Sequence, residues 1–288
     1  MTPLNYIFLA TGPKLTYHTQ LAFSLATLLA NTPKDRDFKI YVVTDAPHFY
    51  KWISDSAVIV EKSKEELTTW RGKYDFFFLT KIEAILSICE LKSDEHCIFL
   101  DTDTACVSDL EAIATELDKG VNYLHKKEYE LGTPKLKGNA KAISDGTLGQ
   151  TFAEQAVIGS SAMWNSGVVA IAKNNQPAKV MQKAKAICEA MLDSGLRQTF
   201  IEQLSIALAV TSSGRTLEAE PLIKHYWGNK EPWDQLAYQF LAETRLRNIS
   251  LAESVAHLDK YPLDMPAYVK EPKLKKLKNS IKKRLPSI

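Results

Sequence analysis

Glycine and proline are scarce in this chain of 288 residues, 12 of each, and charged residues stay at 24%. That composition excludes collagen-like, low-complexity and wholly disordered chains. The four cysteines, Cys89, Cys97, Cys106 and Cys188, form no CxxC pair, so neither a zinc knuckle nor a disulfide framework is indicated. They are expected to be buried, reduced thiols. No stretch approaches the roughly 20 apolar residues that a membrane helix needs. The opening MTPLNYIFLATGPKLT lacks the basic region of a signal peptide. A cytoplasmic protein is therefore expected. There is also no excess of one charge: 36 basic residues face 34 acidic ones, which gives no reason to expect a nucleic-acid partner.

That balance conceals an asymmetry. Lys270 to Ile288 holds eight basic residues and one acid, leaving the remainder of the chain net acidic. Within that segment Leu274, Leu277, Ile281 and Leu285 fall at spacings of three and four, on one helical face amid lysines. A basic amphipathic helix is a membrane-surface signature. The expected organisation is one domain over residues 1–265 and a basic tail over 266–288, with the tail resting on the inner face of an anionic membrane.

Along the body, short apolar runs alternate with helical patterns. Tyr6–Thr11, Phe38–Thr44, Val58–Val60 and Cys97–Leu100 read as buried strands. Tyr17–Asn31 carries Leu21, Ser24, Leu25 and Leu28 on one face, and Thr80–Leu91 carries Ile82, Ile85, Leu86 and Cys89. The alternation predicts an α/β fold with a mostly parallel sheet flanked by helices. Val121–Leu124 and Val168–Ala172 also have strand character, Pro177–Leu192 and Gln198–Val210 read as helices, and Leu222–His225 as a last edge strand. Lys126–Ser161 is polar and weakly periodic, and is expected to be a loop, lid or small excursion.

Two signals carry chemistry. Asp101-Thr102-Asp103 follows the apolar Ile98-Phe99-Leu100, so two carboxylates sit at a strand's C-terminal end, where open α/β sheets place ligands. Such a pair can share one Mn²⁺ or Mg²⁺ together with a substrate phosphate. Far downstream, His225-Tyr-Trp-Gly-Asn-Lys-Glu-Pro-Trp233 gathers an imidazole able to complete a metal site and Gly228, at which a phosphate can approach the backbone. Lys230, able to neutralise a diphosphate, lies in the same segment.

In ordered sequence these features resemble the GT-A fold glycosyltransferases, specifically the retaining family 8 enzymes of the glycogenin and bacterial lipooligosaccharide galactosyltransferase type. The resemblance spans Leu4 to Trp233. It rests on the opening strand-loop-helix, on IFLDTDTACVSDL, on Trp164-Asn-Ser-Gly-Val168 and on the His-x-x-Gly segment ending in Pro-Trp. It implies a Rossmann-like sheet with a smaller antiparallel portion on the acceptor side. It implies a UDP-sugar donor and a glycan or glycolipid acceptor. Ala10, Thr11 and Gly12 would line the nucleoside, Asp101, Asp103 and His225 would hold Mn²⁺, and Thr102 would sit among the donor contacts. Asn165 would shape a sugar pocket, Glu202-Gln203 would face the transferred sugar, and Lys81 would be the basic residue before the metal-binding strand. The chain departs from the family in two places: Glu231 stands where the family's lysine precedes Pro-Trp, with Lys230 one residue earlier, and Glu-Gln replaces Asp-Gln. The alternatives are an inverting enzyme on the same fold, a DxD-dependent phosphatase, and a non-catalytic sugar-nucleotide binder. The phosphatase fits less well, because three strands precede the motif and Ala105 stands where that family has Thr or Val.

Overall fold

A computed structural model describes residues 1–270. The basic segment over 271–288, on which the membrane expectation rests, lies outside the described residues. Among those residues no helix is long and apolar enough to cross a membrane.

The first half alternates as its sequence suggests. Strand β1 (Leu4–Ala10) leads through Gly12 into α1 (Leu15–Asn31), then β2 (Phe38–Thr44) and β3 (Val58–Glu61). A short α2 (Lys64–Thr69), opened by a Ser63/Glu66 capping box, precedes α3 (Leu79–Leu91), β4 (His96–Leu100), β5 (Thr104–Cys106) and α4 (Glu111–Asp118). The second half runs β6 (Asn122–Glu130), α5 (Gly138–Thr147), the small hairpin β7 (Thr151–Phe152) and β8 (Gln155–Ala156), and β9 (Ala162–Ile171). Then come α6 (Pro177–Asp193), α7 (Ile201–Ser213), β10 (Thr216–Glu218), β11 (Ile223–His225), α8 (Lys230–Leu246) and α9 (Leu251–Ser254).

Seven strands form the central sheet in the order β10-β6-β9-β4-β1-β2-β3. Most pairings are parallel, with β9 alone running antiparallel to both its neighbours. Residues alternate between two buried faces. Tyr6, Phe8, Ile98, Leu100, Val168 and Ala170 join α1 and α8 in one core, while Ile7, Phe99, Val169 and Ile171 join α3, α6 and α7 in the other. Covering both faces is why these strands read as continuous apolar runs. All four cysteines are free and buried within these cores.

Two expectations are corrected here. Lys126–Ser161 is not an irregular loop: β6 continues to Glu130 against the first half of β9, and α5 and the hairpin follow. The pattern hid them because the outer half of β6 is exposed, and α5 buries only Ile143, Ser144 and Thr147. The stretch ending at His225 is not an edge of the central sheet. β11 pairs antiparallel with β5 in a separate ribbon, His225 opposite Thr104. A further adjustment concerns the tail boundary, since residues after 265 still pack on the body. The Pro266 carbonyl accepts hydrogen bonds from Asn229 Nδ2 and Trp233 Nε1, and Tyr268 bridges Gly228.

Buried histidines set the acid response. Burial lowers the pKa of His18 and of His96, and brings that of His125 down to about 3. A histidine whose folded pKa is depressed leaves the unfolded chain with more bound protons below about pH 6.5, so stability falls as pH falls through that value. Thermal midpoints measured from pH 7.5 to 5 should decline steadily. A flat profile would mean that these rings take up protons without resisting.

Candidate functional site

β1 connects through α1 to β2 on one side, while β4 pairs on its other side, so the crevice at the C-terminal ends of β1 and β4 is a topological switch point. A cavity of about 470 Å³ lies there, lined by Thr11, Lys81, Asp101, Thr102, Asp103, Glu202, Gln203, His225 and Lys230 together with Phe77, Phe78 and Phe200. The chain leaves β4 at Asp101, whose N–H donates to the Gly167 carbonyl of β9 at 2.9 Å. Thr104 Oγ1 donates to the Asp101 carbonyl at 2.7 Å, which closes the turn into β5. The β5–β11 ribbon then sets His225 beside the acids.

The three ligand-bearing side chains converge. Ligand atoms of Asp101, Asp103 and His225 all lie within 4.8 Å of one another. His225 Nε2 is 3.2 Å from Asp103 Oδ1 and 3.6 Å from Asp101 Oδ2. The orientation of the ring follows from its other nitrogen. The Gly167 backbone N–H donates to Asn165 Oδ1 at 3.0 Å, which fixes that atom as the amide oxygen, and His225 Nδ1 lies 2.8 Å from the same oxygen. Nδ1 must therefore carry a hydrogen. Nε2 either gives a proton to Asp103 or turns a lone pair toward the two carboxylates. An imidazole held by an outer amide, beside two carboxylate oxygens, is a donor set that fits Mn²⁺ or Mg²⁺.

Two lysines bracket the acids. Lys230 Nζ is 2.8 Å from Asp103 Oδ2, and Lys81 Nζ is 3.0 Å from Asp101 Oδ2. Burial pushes the Asp103 pKa up, but the charges of His225 and Lys230 more than cancel it and hold the group well below the usual carboxylate range. Burial also opposes the charge on Lys81, yet Asp101 and Glu202 outweigh it and its pKa rises. Glu202 lies behind, its Oε1 3.3 Å from Ser166 Oγ and 3.8 Å from Lys81 Nζ, and burial raises its pKa. Thr102 donates to Gln20 Oε1 at 3.3 Å, and Gln20 in turn donates to Asp234 at 2.6 Å near Lys230.

Other expected site residues sit elsewhere. Ala10 is packed in the core, leaving Thr11 and Leu9 to line the cavity. Gly12 has φ +88° and donates its N–H to Asp45 Oδ1 at 2.9 Å, so it shapes the first turn from outside the lining. Gly228 does not border the cavity. A Cβ there would lie 2.2 Å from Tyr268 Cδ2, so this glycine makes room for Tyr268 rather than for a phosphate. Asn165 orients His225 instead of lining this cavity. Trp233, at the end of the His225 motif, is wholly buried and stacks on Tyr226 at 4.8 Å.

No protein-family model matches the chain, and no curated protein matches it. Sequence reading missed Ser166, the Phe77-Phe78 pair and Glu128. Ser166 lay inside the Asn-Ser-Gly motif, and the run of three phenylalanines before a helix was a usable sign. Glu128 sits in a polar stretch of β6 that offered none.

Proposed function

We propose that the chain is a metal-dependent glycosyltransferase that moves a hexose from a UDP-sugar to an acceptor hydroxyl of a glycan or lipid-linked sugar, with retention. The observation that carries this reading is the convergence of Asp101, Asp103 and an Asn165-oriented His225 at the switch point of a mostly parallel sheet. A cation held there would supply positive charge opposite a departing diphosphate. Lys230, at the first turn of α8, adds a positive charge beside a helix N-terminus, a combination that favours phosphate oxygens. Phe77, Phe78 and Phe200 line the same cavity with apolar rings against which a sugar could rest. Glu202 and Gln203 supply a carboxylate and an amide to the part of the cavity where positive charge develops on the sugar.

Thermal unfolding with UDP, in Mn²⁺ and separately in EDTA, tests this reading. UDP at about 100 times its dissociation constant adds roughly 2.7 kcal/mol to a fold that binds it selectively. The expected shift needs both UDP and Mn²⁺ and disappears in Asp103→Asn. No shift with any nucleoside diphosphate would remove the transferase reading in favour of a phosphatase or a non-catalytic relative. The inner membrane face is proposed from the basic segment after Lys270. Full-length protein should co-sediment with anionic vesicles and a chain ending at Lys270 should not; equal binding by both would end that proposal.

A further inference from the structure

A second cavity, of about 710 Å³, shares His225 with the first but none of the residues that carry its carboxylates. A smaller one of about 360 Å³ joins them, bordered by Phe200, Gln203 and His225 from the first and by Glu128, Asn165 and Trp227 from the second. The trench so formed reaches from the metal-ligand cluster to an aromatic lip. There Trp227 is 49% exposed and Tyr268 56% exposed, with ring centroids 5.5 Å apart and planes at 50°. Gly228 holds the pair together: its carbonyl accepts the Val269 N–H at 3.3 Å, and its missing side chain admits the Tyr268 ring.

The inner wall is rich in hydrogen-bond acceptors. Glu128, in the exposed half of β6, accepts from Gln203 Nε2 at 3.1 Å and from Asn165 Nδ2 at 3.4 Å, and partial desolvation by the surrounding wall raises its pKa. His125 donates from Nε2 to the Ile223 carbonyl at 3.2 Å, leaving its buried Nδ1 lone pair without a partner. The two rim lysines are already engaged, Lys126 with Glu220 at 2.6 Å and Lys127 with Glu130 at 2.7 Å. Among the described residues lining it, this cavity offers flat aromatic faces, the Glu128 carboxylate, indole and hydroxyl donors, and lysines already paired with acids.

A phosphate or carboxylate would face the Glu128 carboxylate, with both nearby lysines already paired to acids. A pyranose has one C–H face that can lie on an aromatic ring, and hydroxyls that donate outward. We propose that the second cavity is a subsite for a neutral pyranose, seated with its C–H face on Trp227 and a hydroxyl donated to Glu128. This rests on the transferase reading only for its name as the acceptor site, because it specifies a ligand whether or not transfer occurs.

Saturation-transfer NMR on the full chain tests it, with the methyl β-glycosides of glucose and galactose set against glucose 6-phosphate and glucuronate. The expected result is transfer to the ring protons of the neutral glycosides. It should weaken about fivefold in Trp227→Ala, the scale of one lost stacking contact, and survive in Trp227→Phe. Equal signals for the anionic sugars, no signal for the neutral ones, or an unchanged signal in Trp227→Ala would each overturn the subsite. The UDP–Mn²⁺ shift is recorded on the same samples. Its absence from the wild type with glycoside binding intact would fail the transferase reading and leave the subsite standing. Its persistence in Trp227→Ala would show that a lost glycoside signal is not unfolding.

Discussion

Gly167→Ala is expected to abolish the Mn²⁺-dependent stabilisation by UDP while leaving the chain folded. A Cβ at this position on β9 would stand 2.1 Å from His225 Nδ1 and 2.5 Å from its Cε1, far inside van der Waals contact. His225 is buried and its ring is held by Asn165, so it cannot turn aside within its present site. The added methyl therefore drives the imidazole off Asn165 and away from Asp101 and Asp103. Overpacking of this kind costs about 1–3 kcal/mol of stability. The loss of the proposed nitrogen ligand should be complete by comparison. Calorimetric titration of Mn²⁺ with UDP present, beside a urea unfolding curve, separates the two effects. Tight Mn²⁺ binding by a folded Gly167→Ala protein would mean that His225 is not a ligand.

The second large effect is expected from Lys81→Met. This side chain touches Asp101 and Ser166, lies near Glu202 and sits over the Phe99 ring at 5.0 Å. Removing its charge leaves the almost inaccessible Glu202 without a counter-ion, and a buried pair broken on one side costs about 3–5 kcal/mol. The sign with pH is fixed. Burial already raises the folded pKa of Glu202 above its unfolded value, and loss of Lys81 raises it further. The folded protein then binds more protons than the unfolded one above about pH 4.5, so the stability of the variant falls as pH rises. Urea midpoints should drop more steeply between pH 5 and pH 8 in Lys81→Met than in the wild type. Adding Glu202→Gln should restore most of the loss. A single variant as stable as the wild type at pH 8 would show that Glu202 is solvated or protonated throughout.

The strands that carry the site were legible because both faces of the sheet are covered. Tyr6–Thr11, Phe38–Thr44 and Cys97–Leu100 read as apolar runs inside or overlapping the observed strands, and Asp101 could be placed at a strand end without any coordinates. His225 was legible as a ligand candidate, but the reason it faces the acids was not. That reason is the β5–β11 ribbon, whose three-residue strands are too short to show a period. Asn165 was legible as a pocket residue and it borders the second cavity, but its hold on His225 was not, since spacing along a strand does not reveal which neighbour receives an amide. Gly228 was assigned to close approach of a phosphate, whereas the approach that a Cβ would block is that of Tyr268, forty residues later in the sequence. Glu128 escaped notice because its half of β6 has no apolar alternation to anchor a register.

The order of strands also bears on how the protein is made. β1 is made long before its neighbour β4 yet belongs inside the sheet, with Leu4 paired to His96 on one side. The adjoining antiparallel partner of β4 is not complete until Ile171, and His225 meets Asp103 across 122 residues of chain. On a ribosome adding about 5–20 residues each second, an apolar strand edge therefore stays open for several seconds before its neighbour exists. The walls of the 470 Å³ cavity come together only after His225 has been made. A slow stretch of codons after β1 would thus lengthen exposure to aggregation, whereas one placed after β9 would not.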